Sequence, residues 1–126
     1  MKTLFEEDLL DAGYELPSSG LCYNLDPDDA KALISEGEWL LAEDELVARE
    51  GQEQRFLYMI VSGSVELSKK DEKGKHQTIA NLGTGDTFGE VAFLRGHIAS
   101  ATSETRGLCI LWRMNHDQLL EFISSH

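Results

Sequence analysis

The sequence predicts a mainly β fold with flanking helices, a sandwich or barrel of short strands, and three observations predict it. From about Trp39 the apolar period changes from 3.6 to 2 residues. Short apolar runs then recur between turn signals such as Ser62-Gly63-Ser64 and Gly83-Thr84-Gly85-Asp86. Helical periodicity is confined to the two ends. At 126 residues, 41% hydrophobic and 27% charged, the chain has the size and composition of one soluble domain with a single core.

In order, Thr3 and Glu6 have capping-box spacing, and Leu4, Phe5, Leu9 and Ala12 would give a first helix its apolar stripe before Gly13. Pro17-Ser18-Ser19-Gly20 reads as a linker, so residues 1–25 are taken as an N-terminal helix and linker and 26–126 as the main domain. Asp26-Pro27-Asp28-Asp29 starts a second helix with a side-chain cap, a proline at the first turn and acids against the macrodipole. Ala30, Leu33 and Ile34 form its buried face and Gly37 ends it.

Strands are expected at Trp39–Leu41, Leu46–Ala48 and Phe56–Val61, the last apolar enough to be covered on both faces. Ser62-Gly63-Ser64 bends the chain. Val65 and Leu67 then pair through a charged tip, residues 69–75, with the alternating run Thr78, Ala80 and Leu82. Leu108–Trp112 is the last expected strand, and Asn115 with Gln118 caps a C-terminal helix whose face is Leu119, Leu120, Phe122 and Ile123. Trp39, Phe56, Tyr58 and Trp112 are read as core or core-edge residues. The total is about seven or eight strands with two helices before them and one after.

Net charge is −12, and all of it lies in residues 1–53, which carry 15 acidic and 3 basic side chains. Binding to nucleic-acid phosphates needs a basic surface, so DNA and RNA are not expected partners. The acidic face either meets a basic protein or is simply solvated. The longest apolar run, Phe56–Val61, is far short of a membrane span and the N-terminus lacks a signal peptide's apolar centre. The chain therefore reads as cytoplasmic, with no membrane partner and with Cys22 and Cys109 as free thiols.

Enzymatic chemistry finds no support. His76, His97, His116 and His126 show neither HxH nor HExxH, so no metal site is expected. No serine has a GxSxG elbow, and the glycines of 83–89 lack Walker A spacing.

The informative segment is Gly85-Asp86-Thr87-Phe88-Gly89-Glu90-Val91-Ala92-Phe93-Leu94. Gly89 permits a close backbone approach, and Glu90 is a lone acid in an apolar run that needs either local donors or a ligand's hydroxyls. Together with Ala101-Thr102, with Glu50-Gly51 and with Leu57–Leu67, this segment resembles the phosphate-binding cassette and strands of cyclic-nucleotide-binding domains. The resemblance covers roughly residues 26–126 and implies an eight-stranded β-roll of jelly-roll type flanked by helices.

It also implies a site at Phe88, Gly89, Glu90, Val91, Ala92, Arg95, Ala99, Ser100, Ala101 and Thr102. In that family the cassette glutamate, here Glu90, accepts from the ribose 2′-hydroxyl, and backbone N–H groups after it face the cyclic phosphate. An arginine completes the phosphate contact. Aligned without gaps, its position is Ala99. Losing a bidentate guanidinium–phosphate contact costs about 3–5 kcal/mol, roughly a hundred- to a thousandfold in affinity. Arg95, Arg106 or protonated His97 are the candidate substitutes, and Ser100 and Thr102 lie where hydroxyls can meet a guanine.

Two expectations follow. One is a non-enzymatic regulatory module with weak or absent cyclic-nucleotide binding, acting through a protein partner, a homodimer or another ligand. The other is a genuine cAMP or cGMP sensor using Glu90 plus Arg95 or backbone contacts. The family's further helix, which closes the pocket, is not seen before His126, so output is expected to pass through a partner, a dimer or a missing effector.

Overall fold

A computed structural model describes residues 1–5, 7, 9, 12 and 26–125. The strands are β1 (Lys2–Leu4), β2 (Glu38–Glu43), β3 (Leu46–Ala48), β4 (Phe56–Lys70), β5 (His76–Leu82), β6 (Thr87–Phe88) and β7 (Thr102–Asn115). The helices are α1 (Pro27–Glu36), α2 (Glu90–Leu94) and α3 (His116–Ser125). All pairings are antiparallel in the order β1-β2-β7-β4-β5, with β3 added to β7 and β6 to β4.

The predicted start of α1 forms as local chemistry dictates: Asp26 Oδ1 accepts the Asp29 N–H at 2.8 Å, Pro27 opens the helix, and Leu33 and Ile34 are buried. The N-terminal cap of α3 is reciprocal. Asn115 Oδ1 accepts from Asp117 N–H at 2.8 Å while Gln118 Oε1 accepts from Asn115 N–H at 3.2 Å. On α3, Phe122 is buried and Leu119 packs beside it, but Leu120 and Ile123 are exposed, so the expected four-residue apolar face is only half used.

Two other expectations are corrected. Thr3 caps no helix, because Lys2–Leu4 pairs with Leu41–Trp39 as an edge strand; a non-local ladder outweighs a local cap signal. Glu7 and Leu9 are helical, with Leu9 buried, and Ala12 lies in a turn, while residues 6, 8, 10, 11 and 13, and the linker at 17–20, lie outside the described residues. Ser62-Gly63-Ser64 does not end a strand either: β4 runs through it with register shifts against β7, which is a bulge. The described residues show seven strands, two of them long, in line with the seven or eight that the sequence pattern predicts, with an isolated bridge between Glu53 and Ile98 besides.

Strand alternation builds two cores. Leu40, Ala42, Tyr58, Ile60, Cys109 and Leu111 point inside the roll with Val65 and Phe88. Trp39, Met59, Val61, Ile110, Trp112 and Met114 point outward, under Leu33 and Ile34 of α1 and Phe122 of α3. Phe56–Val61 is thus covered on both faces, as its composition predicts. Trp112 is fully buried and its Nε1–H donates to the Ile34 carbonyl at 3.0 Å, tying α1 to the central strand. Cys109, also fully buried, is a free thiol whose Sγ lies 3.1 Å from the Ser64 carbonyl.

The β4–β5 hairpin forms in the predicted register, Val65 opposite Leu82 and Leu67 opposite Ala80. Its tip is held by Asp71 Oδ1, which accepts from the N–H groups of Lys73 and Lys75, each at 2.9 Å. Among the described residues no helix is long and apolar enough to cross a membrane.

Candidate functional site

Turn chemistry places the site. Asp86 Oδ2 accepts the Gly83 N–H at 2.8 Å and its own N–H returns to the Gly83 carbonyl at 3.0 Å, closing the turn that delivers β6 to β4. There Phe88 is buried with its ring stacked on Tyr58, centroids 4.9 Å apart at 7°. Gly89 then reverses the chain into α2 with φ of 92°, and a Cβ there would lie 2.4 Å from the Phe56 carbonyl oxygen. Both the angle and the approach require glycine.

The far wall is the segment after α2. His97, Ile98 and Ala99 run against residues 51–54: the Gln54 N–H donates to the His97 carbonyl at 2.7 Å. The Ala99 N–H donates to the Gln52 carbonyl and the Gly51 N–H to the Ala99 carbonyl, both at 2.9 Å. Between the two walls is a pocket of about 160 Å³.

Eight of the predicted site residues line it: Phe88, Gly89, Glu90, Val91, Ala92, Ala99, Ser100 and Ala101. Two do not. Arg95 is exposed at the C-cap of α2, away from the wall. Thr102 is buried with its Oγ1 accepting the Glu50 N–H at 3.0 Å, so its hydroxyl serves the backbone.

The other candidate cations are also engaged elsewhere. Arg106 pairs with Glu66 at 2.7 Å and lies 3.6 Å from Glu104, and Glu66 holds its guanidinium pKa above the ordinary value by hydrogen bond and charge. His97 stacks on His116, with ring centroids 5.2 Å apart. Among the described residues, no His, Cys, Asp or Glu group of three could hold a metal ion.

Sequence reasoning missed Gln54, Leu67, Leu82, Thr87 and Ser103, which complete the wall. Leu67 and Leu82 were legible as the inward face of the hairpin, and Ser103 follows Ala101 at period 2 once β7 is known to begin at Thr102. Gln54 carries no local signal; its Oε1 accepts the Phe56 N–H at 3.2 Å.

The polar inventory of the pocket is therefore one carboxylate, an amide and hydroxyls. Glu90 is not buried, as its apolar surroundings in sequence suggested, but exposed at the first position of α2, and it makes no hydrogen bond or ion pair with a described side chain. The hydroxyls of Ser100 and Ser103 are likewise uncommitted among the described residues. Among the described residues, no cationic side chain lines the pocket.

Comparison with known proteins agrees with this geometry. The family model described as the cyclic nucleotide-binding domain matches residues 38–126. The potassium channel AKT2 of Oryza sativa subsp. japonica is 37% identical over 83 residues, 66% of this chain and 10% of the channel. The regulatory domain of Toxoplasma gondii PKA, solved with cAMP, superposes with a TM-score of 0.76 at 30% identity, covering 82% of this chain and 40% of that one. The catabolite activator protein of Thermus thermophilus gives a TM-score of 0.80 at 26% identity, covering 85% of this chain and 51% of that one. The chain spans a tenth of the channel and about half or less of the two regulators. With a family match over most of its length, a rolled sheet and a pocket at the Gly89–Glu90 turn, the chain belongs to the cyclic nucleotide-binding domain family.

Proposed function

We propose that this chain is a non-enzymatic regulatory module, cytoplasmic in setting, that keeps the cyclic-nucleotide-binding fold but lacks the cation the cyclic phosphate requires. Output then passes through a protein partner, a second copy or another ligand. The observation that carries this reading is the pocket wall. Ala99, which aligned without gaps takes the place of the family's arginine, lines it, and Glu90 is the only charged side chain among the described lining residues. An anionic nucleotide entering would meet a carboxylate without a compensating cation, in a chain of net charge −12 that offers no favourable steering.

The surface for a partner would include Leu120 and Ile123, 51% and 60% exposed on α3. Light scattering at high protein concentration decides whether a second copy uses it: a monomer removes the homodimer and leaves a different partner.

A second reading, a genuine cAMP or cGMP sensor, is favoured by one observation, that eight predicted residues and a free Glu90 carboxylate converge on one pocket. The T. gondii regulatory domain, solved with cAMP, is similar at 30% identity. In this reading backbone N–H groups hold the phosphate, since Arg95 lies off the wall. Calorimetric titration of the protein with cAMP and with cGMP separates the two. The first reading expects no binding tighter than about millimolar, three decades weaker than a micromolar site; micromolar binding of either overturns it.

A further inference from the structure

His97 and His116 stand 19 positions apart in the chain and meet ring on ring, with Nδ1 atoms 3.0 Å apart and centroids 5.2 Å apart at 25°. Phe93 stands edge-on to both, at 6.4 and 5.3 Å. His116 is 1% exposed at the first residue of α3. Its N–H donates to the Arg55 carbonyl at 2.8 Å and its Nε2 lies 3.1 Å from the Gly89 carbonyl. His97 is fixed in turn by its N–H, which donates to the Ala92 carbonyl at 2.7 Å. The pair therefore fastens the start of α3 to the N-cap of α2 and to the loop that follows it.

The protons on this pair are determined by its partners. A carbonyl only accepts, so His116 Nε2 carries a hydrogen, and neutral His116 presents a bare Nδ1 to which His97 Nδ1–H donates. A proton added at His97 Nε2 leaves that bond intact. A second, on His116 Nδ1, sets two N–H groups against each other at 3.0 Å and stacks two positive rings. We propose that His97 and His116 form a proton-operated latch between the pocket helix α2 and the C-terminal helix α3, shut while one Nδ1 is bare and released when both rings are charged.

Burial, then the charge of His97, holds His116 below the ordinary histidine range, against the opposing pull of the Gly89 carbonyl, Asp117 and the Phe56 carbonyl. The charged groups on the segments packed around the pair are Asp117 on α3, Glu90 and Arg95 at the ends of α2, and Glu53 with Arg55 ahead of β4, the last two paired at 2.9 Å. A released His116 titrates near the ordinary value of about 6.5, while the latched one binds its proton only at lower pH. Above that value the latch is shut. Below it, the released form takes up a proton the latched form refuses, so opening gains up to about tenfold per pH unit until the latched value is passed.

The test is hydrogen exchange, corrected for intrinsic pH dependence, at about pH 7.5 and 5.5 on wild type and His97→Asn. Asn tolerates the positive φ of 65° at position 97 and meets either protonation state of His116, with its amide as donor or acceptor. The latch predicts that acid selectively raises exchange in residues 89–98 and 116–125 of wild type by up to about tenfold, with β4 and β7 unchanged, and that the variant loses this response. An equal response in the variant, or acid exchange spread evenly over the sheet, overturns it. Nitrogen NMR of the wild-type imidazoles is an independent check that needs no variant. It predicts the Nε2–H tautomer for His116 with a midpoint below the ordinary range; an ordinary midpoint with mixed tautomers contradicts the latch.

Discussion

Replacing Gly89 by alanine tests how the fold makes its pocket, because two separate costs meet at that residue. The first is conformational: a φ of 92° places a side chain in the left-handed region, at about 1–2 kcal/mol. The second is steric. The new Cβ would lie 2.4 Å from the Phe56 carbonyl oxygen and 3.6 Å from Leu57 Cα, and both are backbone atoms of β4, pinned by pairing with Asn115 and Met114. Relief has to come from β6, which would draw away from Tyr58 and Met59 and weaken the Tyr58–Phe88 stack. Overpacking of about 1–3 kcal/mol, and part of a stacking contribution of about 0.5–1.5 kcal/mol, add to the strain. The total is about 3–5 kcal/mol, a fall of roughly 10–25 °C in thermal midpoint for a domain of this size.

Three other glycines isolate the components. Gly51 has φ of 82° and nothing within 4 Å of a Cβ, so Gly51→Ala should show strain alone, about 1–2 kcal/mol. A Cβ at Gly37 would fall 2.2 Å from Trp112 Nε1 with ordinary φ, so Gly37→Ala should show collision alone, about 2–4 kcal/mol with the indole bond disturbed. Gly83 has neither, and Gly83→Ala should be neutral or stabilising by up to about 1 kcal/mol. Urea unfolding of the four variants with a common slope gives the order directly. A Gly89→Ala loss no larger than that of Gly51→Ala would refute the account of why the pocket turn needs glycine.

Other outcomes follow from the same contacts. Trp112→Phe removes the donor to the Ile34 carbonyl and leaves a void between the sheet and α1, so chemical unfolding should show a loss of about 2–4 kcal/mol. Thr102→Val should cost about 1–3 kcal/mol by orphaning the Glu50 N–H, and should leave any ligand affinity unchanged because the hydroxyl does not face the pocket. Tyr58 is buried, which raises its phenol pKa above 10 against the opposing pull of Arg113. The unfolded chain therefore ionises this tyrosine first, stability falls as pH rises above about 10, and in Tyr58→Phe this part of the alkaline loss should disappear from urea midpoints.

What the sequence discloses and what it conceals divide along the range of the interactions. The Asp26 cap, the Asn115–Gln118 cap, the Asp71 tip and the Gly83–Asp86 turn are closed by residues two to four apart, and each forms as its residues dictate. Thr3 misleads because its fate is decided by Leu40, across a ladder no local pattern encodes. Ser62-Gly63-Ser64 misleads for a related reason. Gly63 marks a bulge where a Cβ would strike Cys109 Sγ at 2.7 Å, a requirement set by a strand 46 residues away. Within the site, the Phe88–Ala92 and Ala99–Ala101 walls are legible through the resemblance to cyclic-nucleotide-binding domains, whereas the position of Arg95 off the wall and the meeting of His97 with His116 depend on how the loop after α2 folds back on residues 51–54.

The central claim is that the pocket lacks one cation and is otherwise built for its family's ligand. Calorimetric titration of Ala99→Arg beside wild type tests it most directly, since position 99 lines the pocket and its backbone is fixed by two hydrogen bonds to residues 51 and 52. The account predicts that the variant binds cAMP or cGMP at least about a hundredfold more tightly than wild type, from a restored guanidinium–phosphate contact. Equal affinities in a correctly folded Ala99→Arg protein, or micromolar binding by wild type, would contradict it.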